Sequence, residues 1–229
     1  SADHDGNGFP LDCHGWNFWK GKQRKGTEIF GSPDVTDQLG HGTHIAGIIG
    51  AARNNKGVLG VAPEVQILPI KIEDRTMLGE DALDPSLGFI EGIARALEYA
   101  VLEKADIIHM SFSWPRLSDS PKVRSAVQKA LSKNILLVAS AGNDSNLSRV
   151  FPCAYEGVIC VGAHYPDGSL SHLSNYGWAV DLAAPGQHIL STIPLHPKEI
   201  RPKFFVETSG YDFKNGTSFS APFVSGALA

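Results

Sequence analysis

The chain has 229 residues, of which 42% are hydrophobic and 24 are glycine, so it carries apolar material for one sizeable core and one domain is expected. A net charge of -4, with no run of five or six like charges, excludes a basic nucleic-acid groove and a polybasic membrane patch and leaves a soluble partner or substrate. No apolar run approaches the roughly eighteen residues that a membrane span needs, and the opening "SADHDGNGFP" lacks the charged and apolar regions of a signal peptide.

In chain order, "DHDGNG" at 3–8 is oxygen-rich like a calcium loop but lacks the EF-hand spacing and its closing glutamate. "HGTHIAGIIGAA" predicts a buried helix of small and apolar residues that opens on His41, with Gly42 allowing a close backbone approach. Four short runs rich in Ile and Val follow: "VQILPIKI", "DIIHMSFS", "NILLVASAG" and "GVICVGA". They read as buried strands. Between the first two, Asp84-Pro85 signals a helix start, and Phe89, Ile90, Ile93, Leu97 and Val101 share one helical face. Between the next two, Ser120 and Pro121 open a second helix whose apolar positions are Val123, Ala126, Val127, Ala130 and Leu131. This alternation is that of an α/β fold, a mostly parallel sheet with helices on both faces. No internal repeat or interdomain linker interrupts it.

In such sheets the ligand crevice lies beyond the carboxyl ends of the strands. Three segments fall there: "LGHGTHIAGIIGA", "ASAGND" and "NGTSFSAP". A serine hydroxyl needs a base within hydrogen-bond reach to act as a nucleophile, and His41 is the best candidate for that base. His44, three positions on, shares its face and raises a zinc pair, but no third ligand follows at a recognisable spacing. Ser218 would sit at a helix N-terminus, where unpaired N–H groups and the helix dipole favour developing negative charge. Pro222 is expected in the first turn of that helix. Alone, a Ser or Thr here reads as an N-cap. Asn143 of "SAGN" could supply a side-chain donor to the same oxygen, although an Asn after Gly is by itself a turn residue.

Taken together and in order, "HGTHIAGIIGA", "ASAGN", "LSNYGWAVDLAAPG" and "NGTSFSAPFVSG" resemble the subtilisin-like serine peptidases, and "NNKGVLGVAPEVQILPIKI" and "DIIHMSFS" extend the resemblance over nearly the whole chain. The resemblance implies a three-layer subtilisin-like α/β fold and a serine endopeptidase acting on polypeptides without an organic cofactor. It implies His41 as general base, Ser218 as nucleophile and Asn143 as oxyanion donor, with Ser220 at a position where a small residue merely packs. It also implies that an extended substrate adds as a strand along Ser111, Phe112 and Ser113, with Ala141 and Gly142 beside it. Secretion is the family's common habit.

Several features depart from the pattern. The family's D-[ST]-G turn after a first core strand is absent. Asp3, Asp5, Asp12, Asp34 and Asp37 precede His41, but none follows an apolar run. The chain also stops at "SGALA", inside the helix that Ser218 begins, so a piece of a longer subtilase is expected, with the catalytic acid outside it. The alternative is a pseudopeptidase that binds peptides without turnover. An esterase would instead place its serine in a G-x-S-x-G elbow, and the local sequence is G-T-S-F-S. Phe112 and Trp114 stand where glycines commonly leave room for a substrate side chain; either they line that pocket, or Trp114 turns outward over the next loop. "AARNNKG" resembles a segment that holds a structural calcium in many relatives, and "DHDGNG" offers oxygens too. Cys153 and Cys160 either form a local bridge or stay as two buried thiols. Sequons at Asn143, Asn146 and Asn215 match a pattern that arises often by chance.

Overall fold

The computed structural model describes residues 3, 5–18, 31–72, 87–115, 119–195 and 209–229. In chain order the elements are β1 (Trp16–Asn17), α1 (His41–Gly50), β2 (Ile70–Lys71), α2 (Leu87–Leu102), β3 (Ile107–Met110), β4 (Trp114–Pro115), α3 (Pro121–Leu131), β5 (Leu136–Ser140), β6 (Val150–Phe151), β7 (Val158–His164), β8 (Leu182–Pro185), β9 (Ile189–Thr192), β10 (Tyr211–Lys214) and α4 (Thr217–Leu228). The central sheet is parallel, in the order β3-β5-β7-β8.

Alternation along its strands sends side chains to two helical layers. On one face Ile108 and Met110 of β3, Leu137 and Ala139 of β5 and Val158 and Cys160 of β7 pack against Ile93 and Leu97 of α2 and Val123 and Val127 of α3. On the other face Val138, Val161 and Ala184 meet Ala221 and Val224 of α4. α1 lies beside α4, where Ile45 and Ile48 close over Phe219. The result is helix, sheet, helix, with α4 running under the strands that end at the crevice.

The second predicted helix forms as its pattern requires. Ser120 is the N-cap of α3, accepting from the Val123 N–H, Pro121 occupies the first turn, and Val123, Ala126, Val127 and Ala130 are buried. The predicted face of α2 is also the one packed on the sheet, but α2 buries a second face, where Ala96 and Tyr99 meet Trp16 and Phe18. The start signal Asp84-Pro85 lies outside the described residues.

"VQILPIKI" departs from expectation. Only Ile70 and Lys71 are in a strand, paired with β1, and Gln66, Ile67 and Pro69 are exposed. Pro69 cannot donate to a ladder, which is consistent with pairing that begins only after it. Conversely, β8 joins the sheet although three of its four residues are exposed, and the β9–β10 antiparallel ribbon closes against α1. Cys153 and Cys160 are bridged, with Cα atoms 5.0 Å apart, and both are buried. Trp114 does not turn outward over the next loop. It is 4% exposed, paired across β4–β6 with Phe151 and stacked on it. The large apolar surface it would otherwise expose to water drives it inward.

Candidate active site

α1 begins on His41, and the turn before it is built by Asp37. One carboxylate oxygen accepts from the Leu39 and Gly40 N–H groups at 2.9 and 2.8 Å; the other accepts from the Thr43 N–H at 2.8 Å and the Thr43 hydroxyl at 2.6 Å. Burial alone would raise its pKa, but these donors outweigh it and hold the carboxyl below the ordinary range. Four accepted hydrogen bonds use about all the lone pairs a carboxylate has, so Asp37 is a helix cap and has none left for an imidazole. The glycine that this turn requires is Gly40, at φ 81°, rather than Gly42, whose added Cβ would meet nothing closer than 3.8 Å.

The His41 ring stands edge-on to Phe219, with centroids 5.5 Å apart. His44 packs on the same ring from deeper in the core at 4.7 Å. His44 is fully buried, and its Nε2–H donates to the carbonyls of Ile189 and Asp212 at 3.1 and 3.0 Å, tying α1 to the β9–β10 ribbon. Burial depresses its pKa against those two hydrogen bonds. Those two bonds give it a structural place, and among the described residues it joins no cluster of three metal-ligating side chains.

Phe219 follows Ser218, the second residue of α4. The N-cap of α4 is Gly216, at φ 129°, with no side-chain cap, so neither Ser218 nor Ser220 is an N-cap. Ser220 is fully buried under the sheet. Pro222 is the sixth residue of the helix, a turn later than its sequence position suggests. Ser218 lies in the first turn, where N–H groups lack intrahelical acceptors. Its hydroxyl donates to the Ser111 carbonyl at 3.3 Å.

Asn143 meets this turn from the end of β5. Its Oδ1 accepts from the Thr217 N–H at 2.9 Å and the Thr217 hydroxyl at 3.0 Å. That fixes which end of the amide faces the helix and turns the NH2 end away from Thr217. Gly216 permits the approach, since a Cβ there would lie 3.2 Å from Asn143 Oδ1. The loop carrying Asn143 is shaped by Asn175 of "LSNYG": Oδ1 accepts from the Asp144 and Asn146 N–H groups, and Nδ2 donates to the Ala141 carbonyl at 2.9 Å. The roles of Asn175, Thr217 and Asp37 were not visible in the sequence, because their work is done on groups far along the chain or inside a turn.

Of the residues expected along a substrate, Ser111 is buried, Phe112 half-buried against Trp114, and Ser113 exposed. Ala141 and Gly142 are buried, and their N–H groups are already spent, on the Val161 carbonyl and the Thr217 hydroxyl, so neither offers a free donor. The remaining early aspartates have local partners: Asp3 accepts from Gly6 and Gly8, Asp5 from the Asn7 N–H, Asp34 from Thr36, and Asp12 from Asn7 and Tyr99.

Both segments expected to offer oxygens to calcium hold hydrogen bonds of their own. Asp5, Asp12 and Glu103 approach one another, but the Asn7 NH2 already bridges Asp12 and Glu103 at 2.8 and 2.6 Å, putting donor hydrogens where a cation would sit. In "AARNNKG", Asn54 Oδ1 accepts from the Lys56 N–H in a local turn.

Comparison with known proteins bears on this arrangement. The model of the subtilase family, Peptidase_S8, matches residues 19–229. The "Major intracellular serine protease" of Bacillus subtilis (strain 168) is 39% identical over 200 residues, covering 85% of this chain and 56% of that protein. "Subtilisin BL" of Lederbergia lenta is 36% identical, covering 87% and 65%. Among solved structures, the prenylagaramide maturation protease PagA superposes with a TM-score of 0.67 at 29% identity, covering 82% of this chain and 62% of that one. The PatG macrocyclase in complex with peptide gives 0.64 at 27%, covering 85% and 53%. The chain thus spans little more than half the length of the first of these relatives. Relatives include proteins named intracellular, and no helix among the described residues is long and apolar enough to cross a membrane. With a family match that runs over all three crevice segments and the sheet between them, the chain belongs to the subtilase family.

Proposed function

We propose that the protein is a serine endopeptidase that hydrolyses polypeptides through an acyl-enzyme. Ser218 Oγ attacks the scissile carbonyl while His41 accepts its proton and later returns it to the leaving amine. The oxyanion takes hydrogen bonds from the Ser218 N–H and the Asn143 NH2. Asp37 is spent on its own turn and is not the acid that orients His41. The observation that carries this reading is the grip of Thr217 on Asn143 Oδ1, which brings the amide to the first turn of α4 beside Ser218. The segment 111–113 continues β3 without a ladder partner among the described residues, which supports strand addition by an extended substrate.

The whole protein, incubated with an unfolded polypeptide, should cleave it internally, and Ser218→Ala should stop cleavage. Binding of the same polypeptide without any cut in the parent protein would identify a peptide-binding module instead. The Cys153–Cys160 bridge favours an oxidising, extracytoplasmic setting. Thiol labelling of the denatured protein from its natural source should leave these two cysteines unreactive, and their labelling would refute that placement.

A further inference from the structure

We propose that His109 is a positioning residue for the nucleophile, holding the backbone of Ser218 through Ser111 across a gap that Pro222 leaves in α4. The inference rests on the reading of Ser218 given above and names a residue that reading does not use.

Within a helix the carbonyl of residue 218 would accept from the N–H of residue 222. Pro222 has no N–H and lies inside α4, so this acceptor, on the nucleophile's own residue, is left to other donors. The Ser111 hydroxyl takes the place at 2.7 Å. A carbonyl can only accept, so the single Ser111 proton is spent there. His109 Nε2 lies 2.7 Å from the same hydroxyl oxygen and must therefore donate to it. With Nε2 protonated, the neutral ring has a lone pair at Nδ1, and that atom accepts from the Ser225 hydroxyl at 2.8 Å.

Every proton in the series points the same way, from Ser225 through His109 and Ser111 to Ser218. Ser225 stands two turns further along α4, so the helix is gripped at both ends of the gap by one side chain of β3. The sheet's pleat accounts for the placement. Ile107 and His109 face α4, while Ile108 and Met110 face α2 and α3. Burial, and secondarily the nearby His41, hold the His109 ring neutral, its pKa lowered to about 3, so Nδ1 keeps the lone pair that accepts from Ser225. The return bond from Ser218 Oγ to the Ser111 carbonyl places the reacting atom under the same control.

The test uses acylation of Ser218 by a fluorophosphonate in the whole protein, with kcat and KM for a peptide anilide, expressed per folded molecule. His109→Leu should lower the acylation rate and kcat about tenfold with KM within about twofold, the size of one lost orienting bond. His109→Gln, which keeps a donor at the Nε2 position, should recover most of the loss. Ser111→Ala, a smaller change should His109→Leu fail to fold, should match the loss and not multiply it when the two are combined. Pro222→Ala restores a helical donor to the Ser218 carbonyl, so Pro222→Ala combined with Ser111→Ala should acylate faster than Ser111→Ala alone. Parent rates in Ser111→Ala, multiplying losses, or no recovery on adding Pro222→Ala would overturn the proposal while Ser218-dependent labelling still stood. Labelling that survives Ser218→Ala would instead sink the underlying reading.

Discussion

Acidification should destabilise the fold through His109 by an amount the structure sets. The ring is neutral in the folded protein, with a pKa lowered to about 3 from 6.5 chiefly by burial and then by like charge at His41. Between these values the unfolded chain holds a proton that the folded one excludes, so stability is present above pH 6.5 and falls as pH drops toward 3. The slope is about 1.4 kcal/mol per pH unit once well inside the window. From pH 7 to pH 5 the loss from this one group is about 2 kcal/mol. For a chain of this size that lowers a urea midpoint by roughly 1 M. The assay is urea unfolding at both pH values in a Ser218→Ala background, which prevents self-digestion, with and without His109→Gln. His44, also held neutral by burial, and the carboxylates titrate in both proteins and cancel in the comparison. The parent midpoint should fall about 1 M further than that of the His109→Gln variant. Equal falls would show that His109 is not held neutral by its surroundings, and the proton directions assigned from it would fail with that result.

Three further outcomes follow from particular contacts. Asn143→Ala should reduce turnover on the order of 10²–10³ with little change in KM, a magnitude taken from the oxyanion asparagine of subtilisin rather than worked out from this structure; steady-state kinetics on a peptide anilide checks it. Trp114→Ala should cost about 3–5 kcal/mol in urea unfolding, because the ring is 4% exposed and stacks on Phe151; a loss below 1 kcal/mol would mean that the ring faces solvent. Replacing both Cys153 and Cys160 by Ala should cost about 2 kcal/mol, the loop-closure value for a sequence separation of 7, measured by the same unfolding under non-reducing conditions.

What could be read from the sequence was whatever depends on neighbours along the chain. α3 shows its cap, its proline and its buried stripe in eleven consecutive residues, and β5 and β7 are apolar enough to read as strands unaided. β8 was not legible, because Leu182, Ala183 and Pro185 are exposed and only Ala184 packs inward. The burial of Trp114 was not legible, because its partner Phe151 is supplied by a strand pair too short to show a period. At the site, the four motifs pointed to His41, Asn143 and Ser218, since each lies at the start of a helix or the end of a strand. His109 was invisible for the opposite reason. Its partners at 111, 218 and 225 are joined only by the folding of β3 against α4, and nothing in "DIIHMSFS" distinguishes its histidine from a strand residue facing a helix.

The central claim is that Ser218, and no other hydroxyl, is the activated nucleophile. Reaction of the whole protein with a fluorophosphonate, followed by peptide mapping, tests it directly. The label should be found on Ser218 alone, be absent from Ser218→Ala and persist in Ser220→Ala. A label on Ser220, or one that survives Ser218→Ala, would contradict the account.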